Sequence, residues 1–294
     1  KNDISAEYTD GVQKYLGVSN EQKIVFSLLI TLNLMLGLYN FIDLKFIIVD
    51  LPNPDPNLRY SELLHGGVNS LITSIVLVIF ILTFFYRGQL NFQGKKSTRI
   101  LALIWLCLNL LMVATTLIKN WEYISHWGLT YKRIGVYVYL LLAAIGLVLT
   151  LVKILKVKSI WFLIRNTSLA FITCFSLMGL FNWDAMITRF NLTQLKTSQI
   201  DFDYLLNLGE EAYPDLMTYY GTHKSEPQVR NRHELWLDLF ESFDTRREQL
   251  RNKYKSVTWR SYNIRELRLL EKLEKYNLIY TPSPSSGTDY YSQL

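Results

Sequence analysis

Seven ionisable or aromatic residues lie near the ends of apolar stretches, where their side chains could pair charges, bind a polar headgroup or transfer protons. Groups at a membrane boundary lose part of their hydration, which shifts their pKa values and favours pairing or ligand binding. The sequence therefore predicts a candidate polar cluster at the outer membrane boundary. Its members are His65, Glu122, Tyr123, His126, Arg133, Asp184 and Arg189.

A structural role is the alternative interpretation of the same residues. In it, Arg133 and Asp184 pair to fasten two spans, while His65 and His126 cap helix ends. Boundary ion pairs and interfacial aromatic residues are common, so this interpretation is favoured. A metal site made by His65, His126 and Glu122 is disfavoured, because no spacing such as His-Glu-x-x-His brings these ligands together. The sequence predicts no metal and no cofactor.

The elements that must position these residues are five apolar stretches without charged side chains, at 24–41, 67–86, 100–118, 134–152 and 166–183. At ~1.5 Å per residue, a helix of about twenty residues crosses the ~30 Å hydrocarbon layer of a membrane. The stretch 140–152 is apolar on every face, unlike a helix buried in a soluble protein. Within these spans, Asn33, Asn40 and Asn109 are predicted to connect helices by hydrogen bonds.

The predicted fold is all-α, with a polytopic transmembrane bundle of about five spans followed by a small helical extramembrane region. Residues 1–23 form an amino-terminal segment, 24–183 the bundle, 184–280 the helical domain and 281–294 a flexible tail. The helical domain has apolar stripes, at 235–254 and 267–273, which need one another or another protein as a partner surface. Asn263 and Glu266 resemble a capping box at the start of the last helix.

The charge pattern predicts the orientation of the bundle. The formal net charge is +6, and the excess lies in short loops of the membrane half: Arg87, Lys95, Lys96 and Arg99, then Lys153, Lys156, Lys158 and Arg165. Short basic loops stay in the cytoplasm, which places the amino end inside and the carboxyl-terminal region outside. The same basic residues could bind anionic lipid, although a role in topology alone is favoured. Nucleic acid is not expected as a partner, since no recognised motif accompanies the charge.

Three segments carry a family resemblance: 64–67, 123–133 and 182–191. In this order and between these spans, they resemble the family called domain of unknown function 4153/4173, which comprises bacterial polytopic membrane proteins without an assigned activity. The pattern Tyr-x4-Gly-Leu-Thr-x2-Arg, from Tyr123 to Arg133, is its most specific part, and the resemblance covers roughly 24–220. It implies a bacterial membrane protein and provides no catalytic residues.

The functional expectation follows from this architecture. The chain has no Gly-rich phosphate loop, no G-x-S-x-G elbow and no Cys-x-x-Cys pair, and its spans are expected to lack the charged groups of a transport path. The sequence favours a non-catalytic subunit or anchor of the bacterial inner membrane, with the lipid bilayer and membrane or periplasmic proteins as partners. The alternative is a lipid- or small-solute-handling transporter or membrane enzyme that uses the outer-boundary cluster.

Overall fold

The computed structural model describes residues 18–50, 72–75, 77, 96–156, 158–223, 225–255 and 263–280. All regular elements in these ranges are helical, which confirms the all-α prediction. Contacts divide the chain into two units. The first comprises the chain up to Ser125 together with Thr130–Phe181, and the second comprises His126–Leu129 and the chain from Asn182 onward.

The first unit consists of long apolar helices. Their bounds are Val18–Lys45 (α1), followed by a π-helical turn at Phe46–Asp50, then Lys96–Trp127 (α2), Tyr131–Leu155 (α3) and Ile160–Met178 (α4). Four helices in the described ranges are long and apolar enough to cross a membrane, which agrees with about five predicted spans. The predicted span at 67–86 lies largely outside the described residues, and residues 72–75 and 77 within it are helical.

Two asparagines fix the register of α1 against α2. Asn33 Nδ2 donates to Leu101 O at 3.1 Å, and Asn40 Nδ2 donates to Leu108 O at 3.2 Å, as the sequence predicts for these two residues. The seven-residue step is the same on both helices and runs in the same direction, so α1 and α2 are parallel. Asn109 instead donates to Trp105 O of its own helix. Two parallel spans require an odd number of membrane crossings between them, which the apolar stretch at 67–86 can provide.

The limits of the later spans follow from local rules, with one correction. In the sequence, Gly128 predicts a helix stop and Thr130 an N-cap. The helix α2 does end before Gly128, and Thr130 is the N-cap position of α3, although its hydroxyl makes no capping hydrogen bond. The fifth predicted span, 166–183, is placed too late in the chain. The corresponding helix α4 begins after Ser159, whose Oγ accepts from Phe162 N, and ends before Gly179. It therefore includes Arg165, which the prediction left outside.

The second unit consists of shorter helices. They span Trp183–Gln194 (α5), Phe202–Leu206 (α6), Tyr213–His223 (α7), Pro227–Arg230 (α8), His233–Lys255 (α9) and Ile264–Tyr280 (α10), with 3₁₀ turns at Thr197–Gln199 and Glu210–Ala212. The predicted apolar stripes of α9 and α10 pack mainly within this unit. Their buried members, all at most 4 % exposed, are Trp236, Leu239, Phe243, Leu250, Leu269 and Leu273.

Two local predictions in this unit are wrong. The sequence pattern predicts a short helix over 195–208 and a helix break near Pro214. The structure instead has a 3₁₀ turn and the short helix α6 in the first range, and Pro214 lies in the first turn of α7, where proline is tolerated. Asn263 precedes α10 and its Oδ1 accepts from Arg265 N, but Glu266 does not complete a capping box. Its carboxylate instead accepts hydrogen bonds from Lys253 and Tyr254 of α9.

Candidate functional site

Two of the resembling segments meet where α2 ends. Gly128 has φ +80°, a left-handed conformation that favours glycine. Asn191 of α5 then binds the backbone of the next residue, because its Oδ1 accepts from Leu129 N at 2.5 Å and its Nδ2 donates to Leu129 O at 2.9 Å. A Cβ at position 128 would lie 2.6 Å from Asn191 Oδ1, so glycine is required by the space as well as by φ. The two segments therefore specify one joint.

The start of α5 is held by three further polar contacts. Asn182 Oδ1 caps the helix by accepting from Ala185 N, while its Nδ2 donates to Glu211 Oε2 at 2.7 Å. Asp184 lies in the first turn, where a carboxylate is stabilised by the helix dipole. A Cβ on Gly209 would lie 2.5 Å from Asp184 Oδ2, so the bare glycine makes room for the carboxylate. These contacts join α5 to the 3₁₀ turn at Glu210–Ala212.

Three other members of the candidate cluster have contacts of an ordinary structural kind. Arg189 lies 3.3 Å from Asp215 Oδ1, but its side chain is 66 % exposed, and such surface pairs contribute ~0–1 kcal/mol. In the first unit, the Arg133 guanidinium lies over the Tyr123 ring, 4.1 Å from its centroid. That cation–π contact joins the end of α2 to the start of α3.

The two remaining described candidates, Glu122 and His126, both lie on α2. Glu122 is half-buried near the end of α2 in the first unit, and His126 is half-buried in the last turn of α2. His65 lies outside the described residues. Glu122, Tyr123 and Arg133 belong to the first unit, whereas His126, Asp184 and Arg189 belong to the second. A single outer-boundary cluster therefore stays a prediction.

An ion pair within the apolar helices was not expected from the sequence. Lys119 Nζ donates to Asp43 Oδ1 at 2.6 Å, and the Thr115 hydroxyl donates to Asp43 Oδ2 at 3.1 Å. Both charged side chains are at most 6 % exposed. Along the helices, at ~1.5 Å per residue, they lie about 11 Å from the midpoints of Lys23–Val49 and Lys96–Trp127.

The predicted spans themselves contain no charged residue, but the observed helices continue past them and include this buried pair. The predicted spans stop at residues 41 and 118, just before Asp43 and Lys119, because a hydropathy window ends at the first charge. A signal was nevertheless present, since Asn33, Asn40 and Asp43 share one stripe of α1. Intramembrane charges are rare and commonly functional, which makes this pair a candidate site.

The surface of the second unit is organised by ion pairs. Hydrogen bonds from Arg232 hold the pKa of Asp203 below its usual value. The hydrogen bond from Lys253, with help from Tyr254, likewise lowers the pKa of Glu266.

One face of α9 borders an open groove of about 440 Å³. The groove is lined by Asp238, Glu241, Ser242, Thr245, Arg246 and Gln249. Among the described residues, no group of three or more His, Cys, Asp or Glu side chains is arranged to hold a metal ion.

Long apolar helices joined in sequence to a helical unit with its own core define the class of the protein, a polytopic α-helical membrane protein. A family model described as Domain of unknown function (DUF4153) matches residues 2–219, and the chain belongs to that family. Neither a curated protein nor a solved structure matches the chain. The match ends within α7, and α9 beyond it supplies Trp236, whose ring packs on Phe202 at 6.0 Å between centroids.

Proposed function

We propose that this protein is a non-catalytic integral membrane protein that serves as a subunit or anchor of a membrane-associated assembly. The observation that supports the proposal is the use of the polar motif residues in holding the second unit together. The Asn191 side chain forms hydrogen bonds with the Leu129 backbone, and Asn182 Nδ2 donates to the Glu211 carboxylate. Residues used in this way build a rigid scaffold, which is what an adaptor needs in order to present a surface.

The partner surface in this proposal is the polar face of α9 that borders the groove. The apolar face of the same helix is already buried, with Trp236, Leu239 and Phe243 at most 4 % exposed. The groove carries both signs of charge, from Asp238 and Glu241 on one hand and Arg246 on the other. A polar protein segment fits that chemistry better than an apolar helix does.

The proposed setting is the bacterial inner membrane, with the second unit on the periplasmic side. This orientation rests on the basic residues at the start of α2 and around the α3–α4 turn, which favour the cytoplasm. Membrane or periplasmic proteins are then the available partners.

Site-specific photo-crosslinking in intact cells tests the proposal. A photoreactive residue is placed at Thr245 in the groove or, as the matched control, at Lys272, which is exposed on α10. We expect a discrete adduct with one protein from position 245 and none from position 272. A Thr245→Trp variant should lose co-purification of that protein while unfolding at the same temperature as the wild type. A strictly monomeric protein without adducts at position 245 contradicts the proposal.

The buried ion pair favours a second candidate function, the handling of a lipid or small solute by a transporter or membrane enzyme. Intramembrane charged pairs commonly mark substrate or ion paths, and Asp43–Lys119 has that position. If the candidate outer-boundary cluster takes part in that function, single substitutions of its members should abolish the activity without reducing the folded yield. The variants are Glu122→Gln, His126→Ala, Arg133→Gln and Asp184→Asn. An unchanged phenotype in all four excludes the outer-boundary site.

A further inference from the structure

The last turn of α3 contains a buried lysine whose amine has no protein partner in the described part of the chain. Lys153 is 1 % exposed, and no described residue forms a hydrogen bond with its Nζ. An ammonium group that is removed from water without a counter-ion is strongly destabilised. An anion bound beside the Lys153 ammonium group would remove this destabilisation.

The described contacts at this end of α3 add positive charge. Arg99 Nη2 donates to Ile154 O at 2.8 Å and to Leu155 O at 2.7 Å, which places the guanidinium at the carboxyl end of α3. Lys156 follows and is exposed. The sequence has no acidic residue between Glu62 and Glu122, nor between Glu122 and Asp184. No carboxylate is thus available from α3, from α4 or from α2 before its last turns.

The depth of these residues indicates which anion can reach them. At ~1.5 Å per residue, Lys153 lies about 15 Å from the midpoint of Tyr131–Leu155, and Arg99 lies about 19 Å from that of Lys96–Trp127. Half of a ~30 Å hydrocarbon layer is about 15 Å, so both residues are at the level where the headgroups begin. The abundant anion at that level is the phosphate of a lipid headgroup.

We propose that Lys153 and Arg99 form a binding site for the phosphate of an anionic phospholipid at the basic end of the bundle. The ammonium provides charge-assisted hydrogen bonds to phosphate oxygens, and Arg99 still has Nε and Nη1 as donors beside the Nη2 that binds α3. Basic pockets between membrane helices recognise lipid headgroups in this way. The buried lysine distinguishes this site from the general attraction of exposed basic loops.

Thermal unfolding of the full-length protein in detergent, with added lipid, tests the site. We expect phosphatidylglycerol to raise the unfolding temperature, and phosphatidylcholine or inorganic phosphate to have little effect. Lys153→Gln should weaken the apparent affinity for phosphatidylglycerol by more than about tenfold. The matched control is Lys158→Gln, which removes an exposed charge at the same end and should cost no more than about fivefold.

Each of the other outcomes contradicts the proposal. Equal losses in Lys153→Gln and Lys158→Gln mean that only general surface charge attracts the lipid. An equal shift with phosphatidylcholine removes the selectivity for an anionic headgroup, and an equal shift with inorganic phosphate assigns the site to free phosphate. If Lys153→Gln does not fold, Arg99→Gln is measured by native mass spectrometry, and unchanged retention of phosphatidylglycerol overturns the proposal.

Discussion

The Asn191 side chain supplies both hydrogen-bonding partners of the Leu129 backbone, which has just left a helix and has not yet entered the next one. An asparagine suits this position because its amide offers one acceptor and two donors in the geometry of a peptide group. The sequence made the glycine turn predictable, since glycine is a common helix stop. It could not indicate Asn191 as the partner, because the two residues are 62 positions apart.

The first prediction concerns this joint. Asn191→Ala leaves a buried N–H and a buried carbonyl of Leu129 without partners, so we expect a loss of ~2–4 kcal/mol in the free energy of unfolding. Denaturant unfolding of the purified protein in detergent measures the loss. The control is Asn207→Ala, which removes an exposed amide bound to Asp203 O and should change stability by less than ~0.5 kcal/mol. Equal effects in the two variants contradict the role of Asn191.

The second prediction concerns acid sensitivity. The pKa of Glu266 is lowered below its ordinary value of 4.5, mainly by the hydrogen bond from Lys253. A carboxylate of this kind adds stability that is complete above the ordinary pKa and is lost as the pH falls through the lower folded value. We expect Glu266→Gln to reduce stability at neutral pH and to flatten its decline in acid, as measured by unfolding across pH.

The control for the pH experiment lies on the same helix. Glu271 is exposed on α10, and Glu271→Gln should leave both the stability at neutral pH and the acid slope nearly unchanged. A wild-type slope in Glu266→Gln would mean that the contact with Lys253 and Tyr254 adds nothing to folding.

At the scale of elements, α1 and α2 are joined by polar residues that recur along one seam. Asn33, Asn40 and Asp43 contact Leu101, Leu108 and Thr115 in turn, so the seam sets register and direction together. A polar group at the contact of two apolar helices favours the one alignment in which its hydrogen bonds are made.

The third prediction tests the charged end of this seam. Asp43→Asn or Lys119→Gln leaves the other charge buried and alone, and we expect a loss of ~3–5 kcal/mol. The doubly exchanged variant, Asp43→Lys with Lys119→Asp, should recover part of that loss because it restores the pair. Denaturant unfolding in detergent measures the free energy of unfolding of all three variants.

The exposed pair Arg189–Asp215 is the control for the buried one. Arg189→Gln should cost ~0–1 kcal/mol, since water already solvates most of that side chain. If Asp43→Asn costs no more than Arg189→Gln, the intramembrane pair does not stabilise the fold.

For the whole molecule, hydropathy predicts the existence of the four long apolar helices in the described ranges, because lipid leaves few alternatives to an uninterrupted apolar helix. It could not place the charges near their ends. Asp43, Lys119 and Lys153 look in sequence like boundary residues, yet all three are at most 6 % exposed in the bundle. Burial depends on which helices pack together, and that information lies in contacts between residues far apart in the chain. The same holds for the candidate outer-boundary cluster, because whether its members meet also depends on contacts between residues far apart in the chain.

The last prediction concerns how the whole chain crosses the membrane. Because α1 and α2 are parallel, their amino ends lie on one side, and the α2–α3 connection lies on the other. From the positive-inside rule we expect the first side to be cytoplasmic. Single cysteines are introduced at exposed reporter positions, after the native Cys107 and Cys174 have been replaced by serine.

In intact spheroplasts, a membrane-impermeant maleimide should label Tyr131→Cys at once. It should label Lys23→Cys, Lys96→Cys and Lys158→Cys only after the membrane is opened, since these positions lie at the basic end of the bundle. The reverse pattern keeps the bundle and inverts its orientation. Labelling of Lys23→Cys and Lys96→Cys from opposite sides is incompatible with parallel α1 and α2, because it requires an even number of crossings between them.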